Sequence, residues 1–155
     1  MGIGLNLILV NINRLKKSIK KNEGFSNKIY LDQLGNPTIG FGHLITKKDN
    51  FIKNKTYEKR LLNDLFEKDL LKAVKAYKKI FRDISLNQKI EEVLIEMIFQ
   101  LGYKNFSSFK KMIKAIKIQD YELTIREMKL SRWNKQTPKR ARLLINKIKS
   151  NAKKK

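Results

Sequence analysis

The sequence predicts an α+β chain made predominantly of helices, with a small β-hairpin lobe and a helical lobe joined by a long helix. Two observations carry this reading. Between residues 22 and 43 the chain gathers four of its seven glycines, one of its two prolines and its single histidine, in the stretch NEGFSNKIYLDQLGNPTIGFGH. On either side, apolar residues return at steps of three and four, the spacing of an amphipathic helix.

The elements follow in order. Leu5, Ile8, Leu9, Ile12, Leu15 and Ile19 mark an N-terminal helix over about 5–22, which Gly24 ends by supplying a left-handed residue. Short β segments, KIYL and TIGFG, are joined through DQLGNP, whose Gly35 and Asn36-Pro37 are turn signals, giving a hairpin or meander in a lobe over about 23–60. Leu62, Phe66, Leu70, Ala73, Val74, Tyr77 and Phe81 form one stripe on a connecting helix over about 57–81. Ile90, Val93, Leu94, Met97, Ile98 and Leu101, with Ile95 and Phe99 on the other side, make a helix that is apolar on two faces, as at the centre of a bundle. Shorter helices near 107–117 and 119–129 follow. Thr137 and Pro138 then open a last helix as N-cap and first residue, completing a helical lobe over about 82–150 before a solvated basic tail, 151–155.

Composition narrows the function. A single domain of 155 residues buries a real core, and the absence of cysteine excludes disulfides and thiolate metal sites. One histidine does not make a conventional zinc site, so neither metal nor cofactor is expected. The opening MGIGLNLILV lacks a basic leader and a cleavage site and is too short to span a bilayer. The expectation is a monomer without an export signal, made in the cytoplasm. A net charge of +22 implies a polyanionic partner, although lysines spread along helix faces also serve simply as solvated surface. No zinc-finger spacing, RNP sequence or Gly-rich phosphate loop marks a specific nucleic-acid binder.

The chemistry lies in the glycine-rich stretch. Glu23 ends its helix, where the partial negative charge of the helix terminus favours a protonated carboxyl and so a general acid. Asp32 ends a strand at a polar turn. Two carboxyls in unlike environments are what glycosidic bond cleavage requires: one protonates the leaving oxygen and the other handles water or the oxocarbenium charge. Thr38, on the next strand, is placed to hold that water beside Asp32.

Glu23, Asp32 nine residues later, Thr38 and the following TIGFGH resemble the catalytic signature of the phage-type lysozymes. MIFQLG (97–102) and SRWNKQTPKRA (131–141) resemble that family's central-helix and C-terminal segments, in the same order, so the similarity covers roughly residues 20 to 150. The resemblance implies one two-lobed lysozyme domain over 1–155 and an endolysin-type muramidase. Such an enzyme cleaves the β-1,4 bond between N-acetylmuramic acid and N-acetylglucosamine of peptidoglycan with inversion, and acts on the bacterial wall after release. It also implies that Glu23 is the general acid, Asp32 activates or orients the water and Thr38 helps hold it. Leu44, Phe99 and Gly42 are then substrate-binding.

Supporting roles fall to His43 and Asp69, expected as a structural ion pair, and to Arg140, which the family pairs with the catalytic glutamate. Trp133 is read as core. Asn22, Met112 and Glu127 depart from the family's best-known member, the last two where small polar residues contact wall peptide there. The competing reading is a cationic wall-, membrane- or nucleic-acid-binding protein with little catalysis, which the charge alone supports.

Overall fold

The computed structural model describes residues 12–152, and it is mostly helical with one small antiparallel sheet. The first half of the expected N-terminal helix, Leu5 to Leu9, lies outside the described residues, as do the last three lysines. The α+β, mainly helical class read from the sequence is the class observed. The chain divides into two compact units, one over Ile12–Lys72 and one containing Ala73 onward.

In the first unit, α1 (Ile12–Glu23) buries Leu15 and Ile19, one turn apart, and carries Lys20 and Lys21 in its last turn, where cations suit the helix dipole. Gly24 ends it at φ +73°, its N–H bonding back to the Lys20 carbonyl at 3.0 Å. Three strands follow as a meander: β1 (Ser26–Leu31), β2 (Pro37–Gly40) and β3 (His43–Leu44). Tyr30 pairs with Thr38, and Thr38 in turn with Leu44. The segment TIGFG is therefore not one strand. Gly40 at φ +66° and Gly42 at φ +75° turn the chain between β2 and β3, a course that L-residues with side chains resist.

The core of this unit joins α1, the sheet and the first turns of α2 (Lys59–Ile80). Ile39, Phe41, Leu62, Phe66 and Leu70 are buried, with the Phe41 ring 4.8 Å from Phe25 and 5.5 Å from Phe66 between centroids. Lys20 lays its ammonium 4.7 Å over Phe41 and 4.9 Å over Phe66 and donates to Asn63, so its stem covers the core edge while its charge keeps partners.

The second unit packs the rest of α2 with α3 (Gln88–Ser107), α4 (Lys110–Lys117), α5 (Tyr121–Leu130), α6 (Arg132–Gln136) and α7 (Pro138–Ala152). The central helix α3 buries Ile90, Val93, Leu94, Ile95, Met97 and Ile98, both of the apolar faces seen in the sequence. Gly102, at φ +82°, kinks it. Asn87, Asp120 and Ser131 cap α3, α5 and α6 with side-chain oxygens.

Thr137 takes the N-cap position of α7, its carbonyl accepting the Ala141 N–H at 2.9 Å, but its hydroxyl does not cap. Its hydroxyl donates to the Trp133 carbonyl and accepts from Gln100, because the short helix α6 brings those groups within reach first. Trp133 is buried, and its indole N–H donates to Gln100 at 2.9 Å, as suits a core tryptophan with one polar atom. Helix α7 runs through Asn151, which is buried, so the basic tail is shorter than its composition implied.

Candidate active site

The site is built from α1 and the sheet of the first unit. Glu23 is the last residue of α1, and its carboxyl lies directly against Gly42: a Cβ at residue 42 would stand 2.7 Å from the Glu23 carboxyl carbon. Gly42 therefore has two reasons to be glycine, its left-handed φ and the acid seated on it. Sequence reading gave Gly42 to the substrate. The structure adds that the Glu23 carboxyl rests against it.

Asp32 follows β1 and organises the turn to β2. One carboxylate oxygen accepts the amides of Leu34 at 2.9 Å and Asn36 at 2.8 Å, and the other accepts the Asn36 side-chain amide at 3.4 Å. The Asp32 N–H donates to the Asn36 carbonyl, which also accepts the Thr38 hydroxyl at 2.8 Å. Asn36, read from the sequence only as a turn signal, thus ties Asp32 and Thr38 into one turn. Thr38 is buried, and having spent its proton on Asn36 its oxygen is left as an acceptor. Leu44, half exposed, sits beside it as its partner in β3.

Tyr30 was read only as a strand residue. Burial, then the nearby Glu23 and Asp32 carboxylates, raise its pKa above the usual phenol value, so it stays neutral and keeps its proton.

His43 and Asp69 form the expected pair, Nδ1 to Oδ2 at 2.7 Å. A second carboxylate completes it: Asp49 reaches Nε2 at 3.0 Å while accepting the Thr46 N–H and hydroxyl. Burial works against the imidazolium, but the two carboxylates outweigh it and raise the His43 pKa. For Asp49 burial is likewise outweighed, by the Thr46 amide and His43, and its pKa is lowered. Asp49 was missed because only the folded 46–49 turn brings it to the ring.

Arg140 and Phe99 belong to the second unit. Arg140 donates from Nε to Glu96 at 3.1 Å, a glutamate that is itself buried on α3. An acid inside the apolar stripe of α3 is the signal by which Glu96 was findable. Phe99 is half-buried on the same helix. Met112 is fully buried in α4, and Glu127 is half-buried on α5. Among the described residues no cluster of three or more metal-ligating side chains occurs, and no helix is long and apolar enough to cross a membrane.

The chain is similar to known proteins over most of its length. The family model for phage lysozyme matches residues 20–151. Probable T4-type lysozyme 2 of Dictyostelium discoideum is 34% identical, over 87% of this chain and 93% of its own length. Probable T4-type lysozyme 1 of the same organism is 30% identical over 88% and 94%. The pre-baseplate central spike protein Gp5 of Enterobacteria phage T4 is 29% identical over 82% of this chain but only 26% of its own. With the match running through the acid-bearing turn and on to the last helix, the chain belongs to the phage lysozyme family and is a glycoside hydrolase of the lysozyme type.

Proposed function

We propose that this peptidoglycan hydrolase cleaves the β-1,4 bond between N-acetylmuramic acid and N-acetylglucosamine with inversion at the anomeric carbon. The observation that carries the reading is the pair of unlike seats given to Glu23 and Asp32 within one compact unit. Glu23, held against Gly42, donates its proton to the leaving oxygen as the glycosidic C–O bond breaks and its electron pair passes to that oxygen. Asp32, fixed by backbone N–H donors on one oxygen, uses the other to take a proton from the attacking water. The Thr38 oxygen accepts the second hydrogen of that water, which turns the water's lone pair toward carbon. Inversion needs carboxyl groups about 6.5–9.5 Å apart, leaving room for a water, whereas retention brings them to about 5–5.5 Å.

In this proposal Leu44 and Phe99 touch the sugar chain, and Arg140 and Glu96 support the second unit. The enzyme works as a monomer on walls reached after release from the cytoplasm, and its net charge of +22 draws it to anionic wall polymers. Digestion of purified peptidoglycan tests the reaction. New reducing ends should be N-acetylmuramic acid and appear first as the α anomer. A β anomer, or a glycosyl–enzyme trapped on Asp32, contradicts inversion, and N-acetylglucosamine reducing ends contradict the bond assignment.

A further inference from the structure

Tyr30 pairs directly with Thr38 across β1 and β2, so the two side chains leave the sheet on one face. The strand alternation carries that face on to Asp32, two residues later, whose N–H still bonds across to Asn36. Glu23 reaches the same region from α1, seated on Gly42 in the turn after β2. The phenol is within electrostatic reach of both carboxylates, is half-buried, and makes no hydrogen bond among the described residues. The phenol therefore stands on the sheet face it shares with Thr38, close enough to both acids to feel their charge and with its donor unspent. Between the acids of a glycosidase lies the sugar undergoing cleavage.

We propose that Tyr30 is a further substrate-binding residue, its hydroxyl donating a hydrogen bond to an oxygen of the sugar held between Glu23 and Asp32. The inference rests on the assignment of those two residues as the acid and base. Tyr30 transfers no proton. Burial and the two neighbouring negative charges keep the phenol protonated, so it remains a donor throughout the working pH range.

Tyr30→Phe keeps the ring and removes the donor. A neutral hydrogen bond is worth roughly 1 kcal/mol, so kcat/KM on a soluble oligosaccharide of alternating N-acetylglucosamine and N-acetylmuramic acid should fall about three- to tenfold. The melting temperature and both limbs of the pH profile should stay in place. In a Glu23→Gln background, where cleavage is slowed about 10²-fold or more, Tyr30→Phe should weaken calorimetrically measured binding of the same oligosaccharide by a similar factor. Unchanged kcat/KM and binding overturn the inference, and so does a loss that merely tracks a lowered melting temperature. If Glu23→Gln alone retains full hydrolysis, the assignment of the acids has failed; if it is inactive while Tyr30→Phe behaves as wild type, only the role of Tyr30 has failed.

Discussion

Nδ1 of His43 and the Asp69 carboxylate stand 2.7 Å apart, and the ring's other nitrogen is taken by Asp49, so one imidazolium ties α2, β3 and the 46–49 turn together. The side chains of His43 and Asp69 are 12% and 19% exposed, shielded enough that removing one partner leaves a poorly solvated charge. Asp69→Asn should lower stability by about 1–3 kcal/mol, read by urea unfolding, while wall hydrolysis survives. A variant of unchanged stability without activity would instead give the pair a catalytic role.

The same cluster sets a pH window. His43 has a raised pKa when folded, so its contribution is complete below the unfolded value of 6.5 and is lost as pH climbs through the higher folded value. Asp49 has a lowered one, so its contribution is complete above 3.8 and is lost as pH drops through the lower folded value. The clasp is therefore at full strength between those two values. Wild type minus Asp49→Asn, measured as stability against pH, should be largest there and shrink on both sides. A difference independent of pH would mean that Asp49 acts only by capping the Thr46 turn.

Gly42 is the position where backbone and acid constrain one atom. Gly42→Ala places a methyl against the Glu23 carboxyl at a φ of +75°. The left-handed backbone costs about 1–2 kcal/mol. Displacing the acid by an ångström costs activity about 10²-fold, so activity should drop well beyond what the melting temperature explains. Equal kcat in the two proteins would show that Glu23 is not held by this contact.

Attraction to the wall is a matter of summed charge in this account, and such attraction is screened by salt over about 10 Å at 0.1 M ionic strength. Binding of the Glu23→Gln protein to walls rich in anionic polymers should weaken steeply between low and high salt. Salt-insensitive binding would assign the association to sugar contacts alone.

What the sequence disclosed follows its physics. The stripe from Leu62 to Phe81 is buried along its length, because helical periodicity is a direct record of which face meets the core. The pairing of His43 with Asp69 was readable from the resemblance, and the structure shows it. The break in TIGFG was not, since the sign of a glycine φ leaves no mark on hydrophobic pattern. Thr137 does take the N-cap position, but local rules do not know that Trp133 and Gln100 compete for its hydroxyl. Tyr30, Asn36 and Asp49 acquire roles only when the register and the turns fold them back onto Thr38, Asp32 and His43.

The central claim, that lysis is hydrolysis driven by Glu23, is tested most directly by the rate at which Glu23→Gln releases reducing ends from purified peptidoglycan. Glutamine keeps the size of the side chain on Gly42 but has no proton to give the leaving oxygen. General acid–base assistance is worth about 10²–10⁴-fold, so the rate should fall at least that far, with folding and wall binding intact as net charge moves only from +22 to +23. A variant that hydrolyses and lyses at the wild-type rate would contradict the account and leave electrostatic attack by a cationic protein in its place.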